Sequence, residues 1–163
     1  LMLVDNRGQT MALEEEVIGL GEYVAHCVKA QDLARRRGHR VIALIHGNSV
    51  AGGFIAFGLC AGRTYALPDA ETSVMALPAV ARVTKMPLER LEELARTIPV
   101  FAPGVENFLK VGGLHGIWEG DLNARLEEAL REEQEPDLRV GLGERRGGRP
   151  AAAAVVRRIA DGR

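Results

Sequence analysis

Two kinds of apolar pattern alternate along the chain. Residues 1–4 form an unbroken apolar run that ends in Asp5-Asn6-Arg7-Gly8, which predicts a short buried strand followed by a turn. Because the chain opens inside that strand, further residues are expected to precede Leu1. Over residues 12–37 the period changes. Leu13, Val17, Leu20, Val24, Cys27 and Ala34 recur at steps of three, four or seven and predict one helical face. Thr10 is placed to cap its start and Gly38 to stop it, with Glu14 to Glu16 and Arg35 to Arg37 complementing the helix dipole. Gly19 and Gly21, costly inside an exposed helix, predict close packing or a kink. Residues 40–46 are again an apolar run rich in β-branched side chains, as in a strand covered on both faces.

Residues 47–53 then predict a glycine-rich turn, residues 54–61 an apolar helix, and residues 63–67 and 72–76 two further strands. Strand, helix, strand in this order predicts an α/β layered fold with right-handed crossovers. Helices are expected at 78–84 and 87–97, each with proline in its first turn, and at 105–111 and 121–133. Beyond Gln134, glycine, proline and balanced charge dominate. Residues 139–148 are expected to be a loop, and residues 151–160 a terminal helix. This divides the chain into a body, 1–133, and a charged loop with its helix, 134–163.

Composition narrows the function classes. A chain of 163 residues, 47% hydrophobic and 26% charged, holds enough apolar material for one globular core. A formal net charge of -1 supplies no general attraction to nucleic acid or to acidic lipid, so neither is an expected partner. No apolar run approaches the ~18 residues of a membrane-spanning helix. Two cysteines without metal-like spacing read as buried thiols of a reduced, cytoplasmic protein and offer no metal site. Only 4% of residues are aromatic while 19 are glycine, a balance that favours sites built from main-chain groups.

The strongest local signal is His46-Gly47-Asn48-Ser49-Val50-Ala51-Gly52-Gly53-Phe54. A strand ends, the chain turns, and a helix begins at paired glycines whose unpaired N–H groups and positive dipole end can hold an oxyanion or a carboxylate. The same pattern also arises from tight packing alone. No Walker lysine follows, the Gly-x-Gly-x-x-Gly fingerprint is absent, and Ser49 lacks the Gly-x-Ser-x-Gly frame of a nucleophile. Asn48 and Ser49 are therefore turn or cap groups or ligand contacts. Asp5-Asn6-Arg7-Gly8-Gln9 repeats the strand-end turn. If the two strands are neighbours, both turns open on one sheet edge and offer one backbone donor each. His46 is the one histidine that adjoins the glycine turn, and no paired acids lie near either turn.

Several longer strings carry a resemblance. Val4-Asp5-Asn6-Arg7-Gly8-Gln9, Ser49-Val50-Ala51-Gly52-Gly53-Phe54, Tyr65-Ala66-Leu67-Pro68-Asp69-Ala70-Glu71 and Leu77-Pro78-Ala79-Val80-Ala81-Arg82-Val83-Thr84 occur in this order. Leu88 to Leu94 and Pro99 to Gly104 extend the series. Together they resemble the gamma subunits of biotin-independent malonate decarboxylases, within the crotonase-like carboxyltransferase superfamily. The match is best over residues 1–133. Gamma subunits usually carry a further N-terminal segment, which agrees with the expectation of residues before Leu1.

The resemblance implies a ββα-spiral fold, one carboxyltransferase half, in which backbone N–H groups stabilise an enolate or a carboxylate. It implies Gly52, with Gly53 beside it, as donors at the helix start, and Gly8 as the glycine of the second donor turn, with Gln9 next to it. Where related hydratases carry two glutamates this chain has Ile55 and Ala79, which argues against hydration. Phe54, Ile55, Met75, Leu77 and Val80 are the expected dry wall around a substrate carboxylate. The implied partners are a homologous beta subunit, which completes the site, and an acyl carrier protein whose phosphopantetheine-type arm delivers a malonyl thioester. No cofactor bound directly and no biotin are implied. A half-site that passes CO2 to biotin, and a non-catalytic scaffold, are the competing readings.

Overall fold

A computed structural model describes residues 1–8, 12–98, 102–133 and 136–162. Five strands form one sheet: β1 (Met2–Asn6), β2 (Ile42–Val50), β3 (Arg63–Ala66), β4 (Glu71–Ser73) and β5 (Gly116–Ile117), in the order β1-β2-β3-β5 with β4 also paired to β2. Every one of these pairings is parallel. The long strand β2 organises the rest. Its first half, Ile42 to Ile45, pairs with β3, and its last three residues, Asn48 to Val50, pair with β4 on that same side. β1 runs along the opposite side of β2.

The unbroken apolar run of β2 is explained by cover on both faces. Ala43 and Ile45 point into a core with Val4, Phe54, Ala61, Ala66, Val105 and Leu114. Ile42 and Leu44 point the other way, against Tyr65, Trp118 and Ala129. The first layer is closed by the helical segments after β2 and by α6 (Val105–Lys110); the second by α7 (Leu122–Arg131). Asp121 starts α7 as the sequence leads one to expect, accepting hydrogen bonds from the N–H groups of Asn123 (2.9 Å) and Ala124 (3.3 Å).

Several expectations are corrected. The single helix over 12–37 breaks into α1 (Leu13–Val17) and α2 (Leu20–Arg36), because Gly19 adopts φ +83° at the junction. Gly19 thus makes the kink, whereas open space surrounds Gly21. The predicted apolar face is largely solvent-facing: Leu13 is 78% exposed, and Cys27 is exposed too. What anchors α2 is a buried polar residue, Gln31, whose Nε2 donates to the Ala56 carbonyl at 2.9 Å. Thr10, the expected cap, lies outside the described residues; Ala12 is the N-cap of α1. β2 continues through the expected turn to Val50, β4 stops at Ser73, and the two-residue β5 carries no strand signal in its sequence. The helices α4 (Leu77–Thr84) and α5 (Leu88–Thr97) follow the expected pattern.

The largest correction concerns residues 139–148. These form a helix, α8 (Arg139–Arg145), followed by α9 (Pro150–Ala160). Two of the glycines there, Gly143 and Gly148, permit close approach of this segment to the end of α6. A Cβ on Gly143 would lie 2.5 Å from the Val111 carbonyl oxygen, and one on Gly148 would collide with the Lys110 backbone. Arg146 completes the contact by donating to the carbonyls of Leu109 (2.8 Å), Leu114 (2.7 Å) and His115 (2.8 Å). It thereby satisfies acceptors at and beyond the end of α6. Among the described residues no helix is long and apolar enough to cross a membrane. Nor do three or more His, Cys, Asp or Glu side chains gather there to hold a metal ion.

His115 ties β3 to this region: its Nδ1 accepts the Thr64 N–H at 3.0 Å. Burial, and then the nearby charges of Arg63 and Arg139, lower its pKa from 6.5 to about 4. Folding therefore favours the neutral ring. The resulting stability is fully present above pH 6.5 and is lost as the pH falls through about 4. Denaturant midpoints measured from pH 7 to pH 4 are expected to fall less steeply for His115→Gln than for the parent chain.

Candidate functional site

Parallel pairing brings three strand ends to one edge of the sheet, the place where open α/β sheets bind ligands. Asn6 at the end of β1 pairs with Ser49, and Val50 at the end of β2 pairs with Ser73 at the end of β4. The two turns singled out in the sequence are therefore neighbours. Between them the register is not regular: Val4 faces Ile45, yet Asn6 faces Ser49, so β2 bulges outward around Gly47. Gly47 has φ +60°, and a Cβ there would stand 2.8 Å from the Asp5 carboxyl group. Asp5 fills that space and accepts the Asn48 N–H at 3.0 Å. The bulge is thus locked by a carboxylate from the neighbouring strand.

After Val50 the chain enters a helix abruptly. Ala51 has φ +57°, a left-handed conformation that costs a non-glycine residue about 1–2 kcal/mol. It opens α3 (Ala51–Gly53), which continues as a π-helical segment, Phe54–Leu59. Left-handed strain and π-helical turns both concentrate at functional sites. The first N–H groups of such a helix have no partner within it. Gly8, with φ +82°, meets this start directly: a Cβ on Gly8 would lie 3.2 Å from the Ala51 Cβ. The β1 turn and the helix start are packed against each other, which a site with one donor from each turn requires.

Not every residue expected at the site reaches it. Gly8 meets Ala51 and Gly53 meets Asn6 at the sheet edge, with Gly52 between Ala51 and Gly53 in the helix start; a Cβ on Gly53 would lie 2.5 Å from Asn6 Oδ1. Asn48 cross-links strands, its Nδ2 donating to Glu71 Oε2 at 3.2 Å. Two expected ligand contacts are corrected. Ser49 is fully buried and its hydroxyl donates to the Val4 carbonyl at 2.8 Å, a strand-to-strand bond. Phe54 is fully buried in the core, edge-to-face with Phe108 at 4.8 Å between ring centroids. The expected apolar wall is likewise not closed by this chain. Ile55 and Met75 are 40% and 45% exposed, and Leu77 is half-buried at the start of α4. Gln9 lies outside the described residues. Asp5, Asn6 and Ala51 lie within the strings singled out in the sequence, yet those strings do not assign their individual structural roles; for the first two, alternation at a strand end is the one available cue, since it sends consecutive side chains to opposite faces.

Comparison with known proteins identifies the family and the fold. A family model described as malonate decarboxylase gamma subunit (MdcE) matches residues 1–163. The malonyl-S-ACP:biotin-protein carboxyltransferase MADD of Malonomonas rubra is 33% identical over 172 aligned positions, covering 96% of this chain and 59% of that protein's length. A solved Pseudomonas malonate decarboxylase hetero-tetramer in complex with coenzyme A is similar with a TM-score of 0.81 at 27% identity, covering 99% of this chain and 67% of that one. The Pseudomonas MdcD-MdcE hetero-dimer gives 0.74 at 28% identity, covering 99% of this chain and 65% of that one. The transcarboxylase 12S core, 21% identical with a TM-score of 0.62 over 82% of this chain and 27% of its own, shares the fold alone. The parallel α/β architecture is the crotonase-like one, and with its full length matched, the chain belongs to the malonate decarboxylase gamma subunit family.

Proposed function

We propose that this chain is one half of a cytoplasmic malonyl-thioester decarboxylase: with a homologous beta subunit it converts a malonyl thioester on an acyl carrier protein into an acetyl thioester. The observation that carries this reading is the packing of the Gly8 turn on the Ala51–Gly53 helix start at one sheet edge. Cleavage of the bond to the carboxylate carbon releases CO2 and leaves its electron pair on the thioester as an enolate. The main catalytic demand is therefore stabilisation of an oxyanion, and fixed backbone donors meet it without reorganisation. A proton then reaches the α-carbon to give acetyl thioester. Apolar Ile55 and Ala79 at the positions of the hydratase glutamates fit a reaction that needs no side-chain acid/base pair on this half. Exposed Ile55 and Met75 fit a wall completed by a second subunit. The hetero-dimeric and coenzyme A-bound forms of the Pseudomonas relatives support both the partner and the thioester.

One observation favours a second reading. The Malonomonas relative is named as a carboxyltransferase to a biotin protein, and the same hole could serve that transfer. The two are separated by measuring CO2 release from malonyl carrier protein by the reconstituted complex with and without excess avidin. Undiminished release is expected. Release that requires a biotin carrier, and stops with avidin, contradicts the decarboxylase reading.

A further inference from the structure

Asn6 closes the seam between the two turns. Strand alternation turns Asp5 onto the bulge of β2 and Asn6 the other way, onto the first turn of the helix. The Asn6 carboxamide lies so near the Gly53 backbone that a methyl group there would sit 2.5 Å from Oδ1, 2.7 Å from Cγ and 3.0 Å from Nδ2. Its Oδ1 is buried and has no hydrogen-bond partner among the described residues. An acceptor left unpaired is destabilising, and among the described residues no hydrogen bond accounts for an amide oxygen here. Of its neighbours, the Asp5 carboxylate and the Ser49 hydroxyl each hold a cross-strand hydrogen bond, whereas Asn48 Oδ1 and Thr72 Oγ1 are buried without a partner among the described residues, as Asn6 Oδ1 is. Asn6 instead acts as a plate of fixed thickness between β1 and the helix start.

We propose that Asn6 is a positioning residue for the reaction, setting through its contact with Gly53 the separation between the donor of the Gly8 turn and the donors of the helix start. This inference rests on the decarboxylase reading above. A hole with two prongs works only when both donors meet one oxygen, and small misplacements of catalytic groups are costly. Asn6 touches no reacting atom in this account. Its effect falls on kcat, while carrier-protein binding and KM are untouched.

The test uses the complete complex with its beta and carrier subunits and four forms of this chain: parent, Asn6→Ala, Gly53→Ala, and both together. Asn6→Ala leaves a gap and is expected to lower kcat roughly 10- to 100-fold with KM within about twofold. Gly53→Ala pushes the amide aside and is expected to lower kcat as well. In the double variant the new methyl enters the space the amide left, so Gly53→Ala is expected to raise kcat in the Asn6→Ala background although it lowers it in the parent chain. Parent-like kcat for Asn6→Ala, even with a lowered thermal midpoint, overturns the proposal, as does the same fold-loss from Gly53→Ala in both backgrounds. A parent complex that turns over no malonyl thioester instead overturns the functional reading and this inference with it. Parent turnover with non-reversing variants overturns the Asn6 assignment alone.

Discussion

Gly52→Leu is expected to reduce malonyl-thioester turnover by roughly 100- to 1,000-fold, the range seen when one oxyanion donor is lost. Gly52 lies inside a helical turn, a backbone conformation that any L-residue adopts, so the substitution carries no left-handed strain. It stands next to Ala51, which packs against the Gly8 turn, and so adjoins the seam where an anion would meet both sets of donors. A branched side chain there fills the approach to those N–H groups. Assembly with the beta subunit, followed by size-exclusion chromatography, is expected to be unchanged. Retained turnover would mean that the glycine turn is packing and that the anion is held elsewhere.

The largest effect on stability is expected from Gly112→Ala. Gly112 has φ +85°, and a Cβ on it would collide with the Arg139 carbonyl oxygen and come within 2.6 Å of the Gly143 nitrogen. Overpacking typically costs about 1–3 kcal/mol and left-handed strain about 1–2 kcal/mol. Both obstacles here are backbone, so neither can rotate away. A loss of about 2–5 kcal/mol follows, and α8 should detach, taking with it the three carbonyl contacts of Arg146. Denaturant titration reads the loss, and limited proteolysis within 139–160 reads the detachment. Gly21→Ala is the contrasting substitution. Gly21 lies in α2 with open space around it, so alanine is expected to stabilise the chain by up to about 1 kcal/mol. Destabilisation by Gly21→Ala, or parent-like stability of Gly112→Ala, would contradict these packing relations.

These glycines also show what a sequence displays and what it hides. The run at 40–46 announces a strand covered on both faces because burial is written directly into consecutive residues, and Ala43 and Ile45 against Ile42 and Leu44 bear that out. Residues 139–148 do not announce a helix. Glycine there serves contact with the Lys110, Val111 and Gly112 backbone, roughly thirty residues earlier, and composition alone cannot separate that from a loop. The stripe from Leu13 to Ala34 is legible as an apolar face, yet periodicity does not say what covers it, and Leu13 and Val17 face solvent in this chain. At the site, the Gly52-Gly53 turn is legible because its signal is local. Its meeting with the Gly8 turn is legible only on the condition that the two strands are neighbours, and its contact with Asn6 is not, because strand pairing creates it between segments far apart in the chain. Ser49 misleads for the same reason: a hydroxyl in a glycine-rich turn resembles a ligand contact until the Val4 carbonyl is seen to accept from it.

The most direct test of an intersubunit backbone site is mass spectrometry of a malonyl-loaded carrier protein after incubation with this chain alone, with the beta subunit alone, and with the two together. An intersubunit site is expected to give acetyl-loaded carrier from the pair only, without biotin. Acetyl product from the beta subunit alone, or none from the stably assembled pair, would contradict it.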